Sequence, residues 1–195
     1  MAGLDRVDDE VSPSIGEPIA LLEAKEYLRV DHGDEDELIL ALIASARAAV
    51  EAHTKRSILR TTWAYRIDGC FPWEIRLPIG PLRTTSGLVV QYVDDAGATQ
   101  TLASSNYQTS LGITGIIRPA YGKTWPSTRS QMDAVTVTFQ AGELSADDVN
   151  PALMASMRMY LADLYEHRET IVIGVSAQRI PMAVQNLLTP FVRYD

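Results

Sequence analysis

The tripeptide Gly122-Lys123-Thr124 comes closest to a nucleotide-handling loop in this sequence. A glycine, a lysine and a hydroxyl in that order can cradle phosphates with backbone amides, an ammonium group and a metal-bound oxygen. The pattern fails upstream. With four residues between its two glycines, the first should stand at position 117, which is Ile117, and Gly115 comes two residues too early. Pro119 and Trp125-Pro126 also disfavour the strand, loop and helix from which such a cradle is built.

Other groups able to do chemistry are equally scattered. His32, His53 and His167 lie far apart, and none stands in a His-x-x-x-His or Cys/His pattern of the kind that binds zinc. Their ordinary roles are capping, packing and solvation, and His53 is expected at the edge of a core. Asp34, Asp36 and Glu37 have the oxygen chemistry of a metal-dependent nuclease. Acids at a helix start already have a sufficient cause in the helix dipole. The serines lack a Gly-x-Ser-x-Gly turn, and Cys70 has no activating partner nearby in sequence. The sequence therefore predicts no catalytic residues, no metal site and no cofactor.

A last chemical possibility is phosphate grip. Arg56, Arg60, Arg66, Arg76 and Arg83 interleave with Trp63, Tyr65 and Trp73, as in single-strand binders. On strands, Arg66 and Arg76 would face away from those aromatics, which suits a solvated sheet face over a core. A nucleic-acid-binding module stands as the alternative reading.

The formal charge of −8 is concentrated at one end. Residues 1–37 hold 12 acids and 3 bases (−9), and residues 38–195 hold 13 acids and 14 bases (+1). An acidic end repels phosphates. Of the 17 bases, 14 are arginine, whose planar fork suits carboxylates at protein interfaces. A single cysteine excludes an intramolecular disulfide and points to a reducing compartment. No apolar run approaches the ~18 residues of a membrane span, and the beginning is acidic where a signal peptide is basic.

The elements that would position these groups fall into two patterns. The stretch Met1–Glu17 is acid-rich and poor in apolar groups, and reads as a flexible tail. Leu21, Ala24, Tyr27 and Leu28 recur at helical spacing within Ile19–Val30. Asp34 with Glu37 resembles a capping box for a helix over Asp36–Lys55, with Leu38, Ile39, Leu42, Ile43, Ala46, Ala49, Val50 and His53 as its stripe. From residue 61 the period drops to two. Trp63/Tyr65/Ile67, Trp73/Ile75/Leu77 and Val135/Val137/Phe139 read as half-buried strands. Leu88–Val93 and Ala98–Leu102 flank a turn at Asp94–Gly97, and short strands are expected near Tyr107 and over Ile113–Arg118. Nine of the 14 aromatics lie in residues 61–141, enough for a separate small core. Asn150-Pro151 then caps a helix to about Arg168, with Leu153, Met157, Tyr160, Leu161 and Leu164 on one face. A short closing helix spans about Pro181–Leu188, and Phe191–Asp195 reads as a mobile tail.

The fold class predicted is α+β: a helical bundle from residues 18–60 and 142–190, with an antiparallel β-module over 61–141 inserted in it, between the tails 1–17 and 191–195.

Taken together, the chain resembles the head-to-tail connector (adaptor) proteins of long-tailed phages, prophages and gene transfer agents, over about Glu17–Val192. The resemblance is carried by Glu17-Pro18-Ile19 leading into Ala24-Lys25-Glu26-Tyr27-Leu28-Arg29-Val30-Asp31. Further along it rests on Asp34-Glu35-Asp36, Val50-Glu51-Ala52-His53-Thr54, and Leu77-Pro78 with Gly80-Pro81-Leu82. It closes with Ile117-Arg118-Pro119, Trp125-Pro126 and Tyr165-Glu166-His167-Arg168-Glu169. It implies a non-enzymatic subunit in a ring of about twelve copies under the portal of a virion or virion-like particle, assembled in the bacterial cytoplasm. Its partners would be the portal protein, its own copies and the next neck, stopper or tail protein, with DNA passing without specific binding and no membrane involved. The resemblance places portal contacts on Glu166, Arg168, Glu169, Gln185, Leu188, Phe191, Arg193 and Tyr194. The acidic stretch before Glu17 departs from the family's compact pattern.

Overall fold

The computed structural model describes residues 2–7, 16–167 and 180–193. The chain divides into two compact units, Met1–Ser14 with Arg60–Glu143, and Ile15–Leu59 with Leu144–Asp195.

The second unit is helical: α1 is Leu21–Leu28, α2 Asp36–Thr54, α3 Pro151–Glu166 and α4 Met182–Leu188. Asn150 caps α3 as its type predicts, its Oδ1 accepting from the Ala152 amide at 2.9 Å, with Pro151 at the first helical position. The start of α2 differs from the sequence expectation. Glu35, not Asp34, is the N-cap and makes no side-chain capping bond. Asp34 faces solvent, and Lys25 Nζ holds Asp36 Oδ1 at 2.7 Å. Acids at this end therefore act through the dipole and the ion pair.

The buried side of α2 is Ile39, Leu42, Ile43, Ala46, Val50 and Thr54. This is one helical face, and it runs to Thr54 while His53 stays half-buried and Leu38 turns outward. The buried Thr54 hydroxyl is satisfied by donating to Val50 O at 2.7 Å. Against this face pack Leu153, Met157, Tyr160, Leu161 and Leu164 of α3 with Val184 and Leu188 of α4. Each large aliphatic so buried contributes roughly 1.5–3 kcal/mol before ordering entropy.

The first unit holds two antiparallel sheets. The larger is ordered β1-β2-β8-β4-β5, with β1 Ala2–Arg6, β2 Thr61–Ile67, β4 Val89–Val93, β5 Thr99–Leu102 and β8 Val135–Ala141. The smaller is ordered β3-β7-β6, with β3 Ile75–Arg76, β6 Tyr107–Ser110 and β7 Ile116–Pro119. In the β2–β8 register Trp63 faces Phe139, Tyr65 faces Val137 and Ile67 faces Val135. These residues meet Val90, Leu102, Ile75, Leu77, Leu82 and Ile117 in one core.

Two expectations change here. The loose reading of Met1–Glu17 does not hold for Ala2–Arg6, which forms β1 and pairs antiparallel with β2, Leu4 opposite Tyr65. The β2 edge offers unpaired backbone groups, Leu4 packs against the core and Asp5 pairs with Arg66, so this short segment is drawn into the sheet. The strand expected over residues 73–77 shrinks to Ile75–Arg76, and Trp73 is 81% exposed. The β4–β5 turn closes as predicted, with Asp94 Oδ1 accepting from the Ala98 amide at 2.9 Å and Gly97 at φ 88°.

Candidate partner-binding surfaces

The arginines explain themselves first. Six of the described arginines sit on carboxylates: Arg47, Arg66, Arg76, Arg83, Arg118 and Arg158. Arg83 grips Glu143 with two nitrogens at 2.9 and 2.5 Å, and Arg158 Nε reaches Glu23 at 2.8 Å. At Arg47, Arg66, Arg83 and Arg158 each guanidinium has a carboxylate of its own, which an incoming phosphate would meet, whereas Arg76 and Arg118 share the single Glu74. Arg56 instead donates to Phe191 O at 2.9 Å, its Cζ lying 5.4 Å from the centre of the Phe191 ring. Trp63 and Tyr65 pack against the core, so the aromatic–arginine interleaving is a sheet with two unlike faces.

Gly122 lies in a turn with Lys123 beyond it, and no helix starts there. Among the described residues no group of three or more His, Cys, Asp or Glu side chains is placed to hold a metal ion, and no helix is long and apolar enough to cross a membrane.

The residues expected to contact a partner divide sharply. Glu166 is exposed at the end of α3. Gln185 is half-buried, its Nε2 donating to Ile180 O at 2.6 Å. Leu188 is fully buried in the helical core, so its contribution is to anchor α4. Phe191 ends a 3-10 turn, Thr189–Phe191, and packs against that core. Arg193 is only 7% exposed, and its amide donates to Thr54 O at 3.3 Å. The tail expected to be mobile is thus docked as far as Arg193. Arg168, Glu169 and Tyr194 lie outside the described residues.

With Val184 and Leu188 turned inward one helical turn apart, α4 presents Met182 (72% exposed), Ala183, Asn186 and Leu187 outward. These outward residues follow from the inward pair.

A second surface lies on the smaller sheet. Ile75 and Ile117 point into the core, so by alternation their neighbours Arg76, Ile116 and Arg118 point out. Gln108 faces Arg118 and Ser110 faces Ile116 across β6–β7. Gln108, Thr109, Ser110, Ile116 and Arg118 line a groove of about 420 Å³. Glu74 receives both arginines, Arg76 Nε at 2.5 Å and Arg118 Nε at 2.6 Å. Hydrogen bonding from Arg118, then from Arg76, holds the Glu74 carboxyl below its ordinary range.

Neither a protein-family model nor a curated protein matches this chain. Solved structures do. A chain of the neck of an empty gene transfer agent particle, computed with C6 symmetry, superposes with a TM-score of 0.77 at 19% identity, covering 99% of this chain and 96% of its own. A chain of the virion of a native gene transfer agent particle gives 0.77 at 22% identity over 98% and 96%. A chain of the native particle's neck, computed with C12 symmetry, gives 0.73 at 20% identity over 99% and 96%. The fold described above is shared with these chains almost from end to end.

Proposed function

We propose that this protein is a structural head-to-tail connector. It is a non-enzymatic subunit that assembles as a ring of about twelve copies under the portal and joins a DNA-filled head to the neck or tail of a phage-like particle. The carrying observation is the fold shared over nearly the full length with neck and virion chains of gene transfer agent particles, at TM-scores up to 0.77. The neck structures computed with C6 and C12 symmetry support the ring. In this reading the helices of the two ends form one bundle, with the β-module inserted between them.

The chemistry of the surface agrees with such a role. A channel for moving DNA gains nothing from phosphate grip, and here the net charge is −8 while six arginines are occupied by carboxylates. The portal is met by Glu166, Arg168 and Glu169 and by the outward residues of the closing segment, among them Leu187. Leu188, Phe191 and Arg193 hold that segment in place from beneath. The next neck or tail protein docks on the completed ring.

Electron microscopy of particles carrying a labelled subunit should find the label at the neck, in a ring between head and tail. A label absent from particles, or spread over the capsid, would remove the connector reading. Met182→Asp with Leu187→Asp should leave the purified protein's melting temperature unchanged and yield particles lacking tails; normally tailed particles would overturn the portal assignment.

A further inference from the structure

We infer that the groove on the outer face of the β3-β7-β6 sheet is the seat for a second copy of this chain, filled by the acidic corner between that copy's α1 and α2. This rests on the connector reading and names the two surfaces by which one subunit meets the next.

The groove has the features of a docking surface. Arg76 and Arg118 remain 67% and 48% exposed, and Glu74 is the carboxylate they share, so the cluster carries one positive charge in surplus. Ile116 gives the groove an apolar wall, and Gln108 and Ser110 give it hydrogen-bonding side chains. Directly after β6 the chain exposes Leu111 (51%) and Ile113 (50%). β6 is an edge strand with no charge and no proline, the kind of edge that proteins cover.

The α1–α2 corner is its counterpart. Glu26, Asp31, Asp34 and Glu37 are exposed there, against the exposed Arg29 and a His32 that lies 3.8 Å from Asp34. Leu22 (71% exposed) and Tyr27 (47%) supply apolar surface beside them. Both surfaces combine uncovered aliphatic or aromatic side chains with charge, and the charges are of opposite sign. A ring closes head to tail only when each subunit carries two different, complementary patches. The neck structures with which this chain shares its fold were computed with such rotational symmetry. Opposed charge also selects the register and suppresses contact between two like patches.

The test is charge exchange in the full chain, read as copies of this subunit per particle. Arg76→Glu with Arg118→Glu on one side, and Asp34→Lys with Glu37→Lys on the other, should each lower incorporation about ten-fold or more. All four changes in one chain restore the opposite signs and should bring incorporation back to near wild type. If both one-sided exchanges incorporate normally, or the four-fold variant does no better than either, the inference is overturned. Because the Arg76 and Arg118 changes crowd Glu74, Ser110→Trp provides a second arm. It fills the groove from an exposed strand position, should leave the melting temperature unchanged and should block incorporation; normal incorporation would equally overturn the inference. A wild-type subunit missing from particles would instead remove the connector reading, and the groove assignment with it.

Discussion

Two three-residue ion clusters in this molecule are near mirror images. In the helical unit one guanidinium serves two carboxylates: Arg47 Nε and Nη2 reach Glu17 at 2.7 and 3.1 Å, and Nη1 reaches Glu51 at 2.9 Å. In the β-unit one carboxylate serves two guanidiniums, Glu74 with Arg76 and Arg118. The first cluster is turned inward, with Arg47 and Glu51 only 14% and 13% exposed. Glu51 Oε1 also accepts the Ile58 amide at 2.8 Å, so the cluster ties Glu17, α2 and the chain beyond α2 together. In the second only the carboxylate is covered and both arginines reach into solvent. Position thus separates the two: the covered cluster ties segments of its own unit together, and the exposed one leaves two guanidiniums open to solvent.

The strongest way to break this comparison is to remove the centre of the inner cluster. Arg47→Ala leaves two carboxylates facing each other with little water access, and should lower unfolding free energy by about 3 kcal/mol. Donation to the Glu17 carboxylate is the main reason the Arg47 guanidinium titrates above its ordinary value, so it stays charged throughout any accessible pH range. Chemical denaturation checks the prediction; a loss no larger than that of an exposed pair would erase the distinction.

Beneath the outer cluster the fold is tight, and this sharpens the contrast between a rigid floor and a free surface. A Cβ on Gly115 would stand 2.7 Å from Leu77 Cδ1 and 2.9 Å from Leu82 Cδ2, both in fully buried side chains. Gly115→Ala should therefore cost about 2 kcal/mol, read as a lowered melting temperature. Glu17→Gln is milder. It keeps a hydrogen-bond acceptor and leaves Glu51 on Arg47, so the expected loss is about 1 kcal/mol.

How far the sequence reveals these features depends on whether their causes are local. The α3 cap at Asn150, the Asp94–Gly97 turn and the alternating faces of β8 depend on residues close together in the chain, and each is found where its chemistry predicts. β1 was not legible, because its partner is distant in sequence and Ala-Gly-Leu-Asp-Arg shows no alternation of large apolar residues. Nor was the division of the closing segment into buried and exposed residues. Which of Leu187 and Leu188 faces the core is set by where α2 and α3 stand, and Leu188, expected to meet a partner, is the one they bury. Charge totals by segment identified an acidic end, but not that arginines distant in sequence would find the carboxylates that neutralise them.

The smallest expected effect is also the most specific to the outer cluster. Glu74 is held below the ordinary carboxylate range in the folded chain, chiefly by Arg118 and then by Arg76. A depressed carboxyl contributes stability that is fully present above its unfolded pKa and is lost as pH falls through its folded one. Arg118→Gln should bring the folded pKa of Glu74 up toward the ordinary range, so that its protonation begins at higher pH, while the neutral-pH melting temperature barely moves. Side-chain carbon chemical shifts followed through an acid titration report Glu74 directly. An unmoved Glu74 would mean that Arg76 alone holds its charge and that Arg118 does not share the carboxylate.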